Sequence, residues 1–213
     1  MSVQALRKPS FDKSIISDAA QSLVKVGKFF DSKGWAPATS GNYSARLDAE
    51  YAAISLSGAA KGSLTPEQIL TIDMEGNSQD GRKPSAETPL HTMLYKLNDK
   101  IGSVLHTHSV NAVVITQLPD YRKKLKFSGY EILKAFGGVE THETEVIVPI
   151  FKNTQDMVSL AEEVKEKLEG RSDVPGFLVR GHGLYSWGAD VHEAQKAVEA
   201  LEFLFACELG LRK

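Results

Sequence analysis

The chain has 213 residues, 42% hydrophobic and 24% charged, which is enough ordinary globular sequence for one sizeable core. Lys and Arg total 25 against 27 Asp and Glu, a net charge of -2, and no long basic run or basic–aromatic stripe is present. Neither nucleic acid nor an anionic membrane is therefore an expected partner.

Ser10 to Lys33 carries Ile15, Ile16, Ala19, Ala20, Leu23, Val24, Val26, Phe29 and Phe30 at helical spacing, and Gly34 is a stop. The turn-rich loop Trp35–Asn42 follows, then alternating runs at 43–47 and 51–56 that read as a hairpin. Leu70–Asp73 reads as a strand, Glu87–Leu97 as a helix and Val104–His108 as a strand. Ser109 caps a helix running to Gln117. Tyr121–Gly138 reads as a loop with a short helix near Glu131–Ala135, and Arg122–Lys126 as a solvated loop or helix face. Tyr121, Leu125, Phe127, Tyr130 and Ile132 are many large apolar residues for a loop. They mark either a subunit interface or a segment folded back on its own core.

Val146–Pro149 is a strand, and Thr154 caps a helix to Leu168. Strands Phe177–Arg180 and Leu184–Trp187 flank Gly181-His182-Gly183, and Asp190 caps a last helix to about Leu209. Short turns join several strand pairs, which predicts an α/β layered domain with much antiparallel pairing. Cys207, the single cysteine, lies in an apolar helical stretch and reads as core. It fits a reducing compartment. Met1–Ser10 lacks an apolar signal core, and no 18-residue apolar run occurs, so a cytoplasmic location is expected.

His106-Thr107-His108 is the most informative local pattern. Residues two apart on a strand face one side, so His106 and His108 converge while Thr107 points away. Imidazole is a common ligand of divalent metals. If His182, between its two glycines, is brought alongside, three histidines leave an open fourth position, as at a catalytic metal. Two ordinary packed histidines are the other reading.

Thr39-Ser-Gly-Asn42, Ser57-Gly58 and Lys83-Pro-Ser85 are loops able to cradle a phosphate or simple turns. Glu87 opens a helix, which alone accounts for an acid there, and His91 sits at pairing distance from it. Glu131, His142 and His192 read as surface residues.

In this order and spacing, Thr39–Asn42, Ser57-Gly58, Lys83-Pro-Ser85 with Glu87, His106-Thr-His-Ser109 and Arg180-Gly-His-Gly183 resemble the class II (zinc) aldolase superfamily. That group includes fuculose-phosphate aldolase, ribulose-phosphate 4-epimerase and the adducin head domain. Ser57-Gly-Ala-Ala-Lys61, Thr65-Pro66-Glu67, Lys83–Pro89, Tyr130–Lys134, Val148-Pro149-Ile150 with Asn153-Thr154, and Leu184–Gly188 are most similar to its dehydratase branch, which acts in methionine salvage.

The resemblance implies one catalytic domain over residues 1–213. Its fold would be a three-layer α/β/α sandwich with a mostly antiparallel central sheet. It implies a lyase that removes water from a methylthio-substituted ketose phosphate. It implies one Zn2+ per subunit on His106, His108 and His182, with Glu131 as general acid/base. Glu87 falls where the aldolases keep a catalytic carboxylate and the animal dehydratases a cysteine. Asn42, Ser57, Gly58 and Ser85 match the phosphate loops, and the family's second serine is Ala86 here. A cyclic homotetramer with sites near subunit interfaces is implied. The alternatives are a sugar-phosphate aldolase or epimerase on the same scaffold, or a non-catalytic interaction module.

Overall fold

The computed structural model describes residues 12–120 and 123–212. The expected helix start at Ser10, and Tyr121 and Arg122, lie outside the described residues. Helix α1 spans Lys13–Ser32 and is capped by Asp12, whose carboxylate accepts from Ser14 N at 3.0 Å. Ala20, Leu23, Val26 and Phe30 recur at helical spacing and are buried, each large one stabilising by roughly 1.5–3 kcal/mol. Ile15, expected in that stripe, is instead 45% exposed.

Strands β1 (Asn42–Arg46) and β2 (Tyr51–Ser55) form the expected hairpin, and β3 (Ile69–Asp73) pairs with β2. Asp48 closes the turn by accepting from Glu50 N and Tyr51 N at 2.7 and 2.8 Å. Helix α2 (Thr88–Leu97), strand β4 (Ser103–Thr107) and helix α3 (Val110–Ile115) follow. Ser109 caps α3 as expected, accepting from Ala112 N at 2.9 Å. Strands β5 (Lys124–Phe127) and β6 (Val146–Phe151) precede α4 (Met157–Leu168). Strands β7 (Gly176–Val179) and β8 (Gly183–Gly188) lead to α5 (Val191–Gly210), capped by Asp190 as expected.

The eight strands form one sheet in the order β3-β2-β1-β4-β8-β7-β6-β5. Only β6 and β7 are parallel, and the helix α4 between them provides the crossover that parallel neighbours require. Period-two burial splits the side chains between two cores. Tyr43, Ala45, Leu105 and Leu184 pack with α1, α3 and α5, while Ile54, Val104, Phe177 and Tyr185 pack with α2 and α4. The sheet is thus covered on both faces, as the mostly antiparallel α/β/α sandwich requires. Among the described residues no helix is long and apolar enough to cross a membrane.

Several expectations change. The basic segment is strand β5, where Leu125 and Phe127 are buried and Lys124 and Lys126 are exposed. Its alternation is that of a sheet edge, and lysines there discourage edge-to-edge pairing. The described part of the apolar stretch packs onto the chain's own core, with Tyr130 and Ile132 half-buried against it. Helix α4 is capped by Asp156, which accepts from Ser159 N at 3.0 Å; Thr154 accepts from Asp156 N in the preceding turn. Cys207 is half-buried rather than fully in the core.

Candidate metal centre and active site

The sheet pairing assembles the site. Asn42 of β1 stands opposite His106 of β4, which stands opposite Tyr185 of β8. His182 lies in the tight turn between β7 and β8. Gly181 adopts φ +64 there, and a Cβ on Gly183 would collide with the Thr107 carbonyl. The flanking glycines therefore let β8 close onto β4 with His182 beside His106. Glu87 enters from the start of α2.

His106 is wholly buried. Its Nδ1–H donates to Leu184 O at 2.9 Å, which leaves the Nε2 lone pair facing the site. Its ring stacks on Tyr185, centroids 3.8 Å apart and planes 10° apart, and Tyr185 stacks on Phe177. His106 Nε2 lies 2.8 Å from His108 Nε2 and 3.3 Å from His182 Nε2. His182 Nδ1 is buried with no hydrogen-bond partner among the described residues. The Glu87 carboxylate completes the group, 2.9 Å from His182 Nε2 and 3.5 Å from His106 Nε2. Ligands at roughly 2.0–2.1 Å from a tetrahedral ion lie about 3.3 Å from one another. The separations of 2.8–3.5 Å bracket that spacing and all four ligand atoms lie within 4.8 Å of one another, so three nitrogens and a carboxylate oxygen could hold a divalent ion.

Charge states agree with this reading. Burial holds His106 well below its usual range and draws His108 down to about 4. Burial by itself raises the Glu87 carboxyl, but hydrogen bonding and charge from the groups around it, His106, His182 and the Asn42 amide, outweigh it and hold the acid well below its usual range. Neutral His106 and His108 offer the lone pairs that a metal needs.

Asn42 and Ser85 stand behind Glu87. Asn42 Nδ2 donates to Glu87 Oε2 and, at 3.3 Å, to Ser85 Oγ, while Asn42 Oδ1 bonds His91 Nε2. His91 therefore does not pair with Glu87 directly, as its spacing suggested; Asn42 stands between them. His91 Nδ1 meets Ser44 Oγ at 2.7 Å, and Ser44 meets the Tyr95 hydroxyl at 2.7 Å. Ser57 and Gly58 are exposed in their loop, which the Leu56–Pro84 bridge sets beside Ser85.

Glu131 is not brought to the histidines within one chain. It is 70% exposed and pairs with Lys134 at 2.5 Å and His142 at 3.7 Å; the Lys134 hydrogen bond lowers its carboxyl. His142 and His192 are at or near the surface, in line with the expectation.

Residues carrying the Glu87 support were legible only in part. Asn42, Ser44 and Arg46 alternate on β1, and His91 and Tyr95 are four apart on α2. Those two periodicities signal a polar seam between strand and helix. Lys61 stands inside a quoted motif, yet nothing local distinguishes it from a surface lysine.

Residues 21–209 match the family model described as the class II aldolase and adducin N-terminal domain. The chain belongs to that family. It is 48% identical over 200 residues to a methylthioribulose-1-phosphate dehydratase of Marinobacter nauticus, covering 93% of this chain and 96% of the relative. It is 53% identical over 190 residues to the protein of the same name in Pseudomonas aeruginosa, covering 89% and 92%. Among solved structures, YgbL of Escherichia coli superposes with a TM-score of 0.80 at 23% identity, covering 93% of this chain and 91% of that one. An L-fuculose-1-phosphate aldolase of Thermus thermophilus gives 0.74 at 24%, covering 92% and 96%; both show the shared fold.

Proposed function

We propose that the chain is a hydro-lyase converting 5-methylthioribulose 1-phosphate to 2,3-diketo-5-methylthiopentyl 1-phosphate and water, in methionine salvage. The observation that carries this reading is the roughly one-half identity, over some nine tenths of the chain, to proteins named for that activity. It comprises one catalytic domain acting in the cytoplasm. Family membership implies metal dependence. His106, His108 and His182 are assigned as ligands of one zinc ion per subunit, because three nitrogens with a nearby carboxylate suit zinc. When bound, the ion would supply Lewis-acid polarisation of the substrate carbonyl.

The chain's own groups divide the remaining work. Tyr185 and Leu184 O fix the His106 ring, so its lone pair needs no reorganisation. Glu87 is ionised and oriented by Asn42, and it accepts the proton from C3. Glu131, matched by family position, protonates the departing C4 hydroxyl. Its exposure and its Lys134 pairing give that role a condition: assembly must bury the carboxyl, release it from Lys134 and raise its pKa. Ser57, Gly58 and Ser85 hold the phosphate, and Asn42 joins that loop to Glu87. Such remote binding aligns the reacting carbons. A homotetramer with cyclic symmetry and sites near its interfaces is the proposed working form. The test is turnover of zinc-loaded protein with this substrate beside fuculose 1-phosphate and ribulose 5-phosphate. Preferred cleavage or epimerisation of the latter two would replace the dehydratase reading.

A further inference from the structure

Lys61 is a buried cation without an anion. Its side chain is 1% exposed, and among the described residues no ion pair includes it. Nζ donates to Thr39 O at 3.1 Å and Ala59 O at 2.6 Å. An ammonium has three donors, so two carbonyls leave one donor and a whole charge unmatched. Burial draws the group down to about 8, opposed by the Glu87 charge, so it stays protonated at neutral pH. A charge taken from water with only a distant carboxylate and no ion-pair partner is costly.

The two acceptor carbonyls belong to two different loops, Thr39–Asn42 and the one carrying Ser57 and Gly58. The third loop is tied to them by the Leu56–Pro84 bridge and by Asn42 Nδ2 on Ser85 Oγ at 3.3 Å. The lysine thus ties together two of the three loops, to which the third is itself bound, and Ser57 and Gly58 in one of them are open to solvent. Its backbone is held as well. α1 approaches so closely that a Cβ on Gly27 would lie 2.7 Å from Lys61 O. Nor is the charge remote from the chemistry, because it acts electrostatically on both Glu87 and His108.

We infer that Lys61 is the cation that receives the substrate's phosphate, completing a site whose hydroxyl and backbone donors come from the three loops. The inference rests on the sugar-phosphate reading of the site. A dianion supplies the ion-pair partner that Lys61 lacks, whereas a purely structural lysine would serve only to tie Thr39 to Ala59.

The test is calorimetric titration of the metal-loaded protein with inorganic phosphate, for the native chain and Lys61→Met, beside kcat/KM for methylthioribulose with and without its phosphate. Phosphate affinity should fall roughly 10²-fold in the variant, the scale for truncating one partner of a buried charge pair. The preference for the phosphorylated substrate should fall by a similar factor. Equal phosphate affinity in both proteins, no measurable phosphate binding by the native one, or an unchanged preference would overturn the proposal. If Lys61→Met does not fold, a crystal structure of the native protein with phosphate decides. An oxygen within about 3 Å of Nζ supports the assignment, and a phosphate seated away from Nζ overturns it. Failure of the native protein to dehydrate the substrate would instead remove the functional reading, while the phosphate titrations still judge Lys61.

Discussion

His106 Nε2 and His108 Nε2 face each other at 2.8 Å, and both imidazoles are held neutral by burial. With His106 Nδ1–H committed to Leu184 O, its inner nitrogen offers only a lone pair. A divalent cation would take that lone pair in place of the contact with His108. Single replacement of His106, His108 or His182 by Ala should therefore leave the purified protein without stoichiometric metal, while the native chain carries one ion per subunit by elemental analysis. Full metal occupancy in any of the three variants would remove that histidine from the ligand set.

The two carboxylates need separate treatment. Glu87→Gln and Glu131→Gln should each lower kcat by roughly 10²–10⁴-fold, the usual yield of general acid–base catalysis. Metal content should survive in Glu131→Gln. Its loss in Glu87→Gln would make that residue a ligand, and normal turnover in Glu131→Gln would move the acid role elsewhere. The histidine pair was legible because strand periodicity is a local property. Meeting His182 was not, since it depends on β4 and β8 pairing across a separation of 76 residues between His106 and His182.

At the scale of elements, the seam between β1 and α2 links the fold to Glu87. Asn42, Ser44 and Arg46 face α2. There Arg46 donates to Tyr95 O at 2.7 Å and Ile101 O at 2.8 Å, satisfying carbonyls at and beyond the helix end. His91 in this seam is fully buried, and burial draws it down to about 4. The unfolded chain takes up this proton near pH 6.5 and the folded chain only near 4. Stability from neutral His91 is thus complete above pH 6.5 and falls by roughly 3 kcal/mol as pH drops to about 4. Denaturant titrations of chelator-treated protein should show that slope, reduced in His91→Gln by up to one proton. Identical slopes would mean that His91 titrates normally.

Glu202 on α5 behaves oppositely. It is 2% exposed, and burial pushes its carboxyl up to about 7. Stability is greatest with the acid protonated and declines as pH rises from about 4.5 to 7. Glu202→Gln should exceed the native protein by up to roughly 3 kcal/mol at pH 8 and match it near pH 4, measured by the same titrations. A destabilised variant at pH 8 would show that the ionised carboxylate is needed. Element type was readable from periodicity and caps, as at Ser109 and Asp190. Strand β5 was not, because four residues with two lysines carry too little alternation to stand apart from a loop.

For the whole molecule, the second of the two readings of the apolar stretch after Tyr121 holds for its described residues. Leu125 and Phe127 are spent on the chain's own core. Val110, Val114 and Phe203 instead stand 72%, 41% and 54% exposed on α3 and α5. Val110 begins the helix that leaves His108, so burying this surface would place a second chain near the metal centre. Light scattering at micromolar concentration should give a tetramer, and Val110→Lys should dissociate it and lower activity together. A monomer that keeps full activity on dilution would refute both the assembly and the shared site.

The architecture could be read from ordered motifs because each motif is short and each strand local. The counter-charge of Lys61 and the environment of Glu131 depend on which loops or chains meet, which no local pattern records. The most direct test of the account is to incubate zinc-loaded protein with 5-methylthioribulose 1-phosphate and follow the product. Stoichiometric formation of 2,3-diketo-5-methylthiopentyl 1-phosphate is expected, abolished by a chelator and restored by zinc. Unchanged substrate with metal fully bound to the three histidines, or a carbon–carbon cleavage product in place of the diketone, would contradict it.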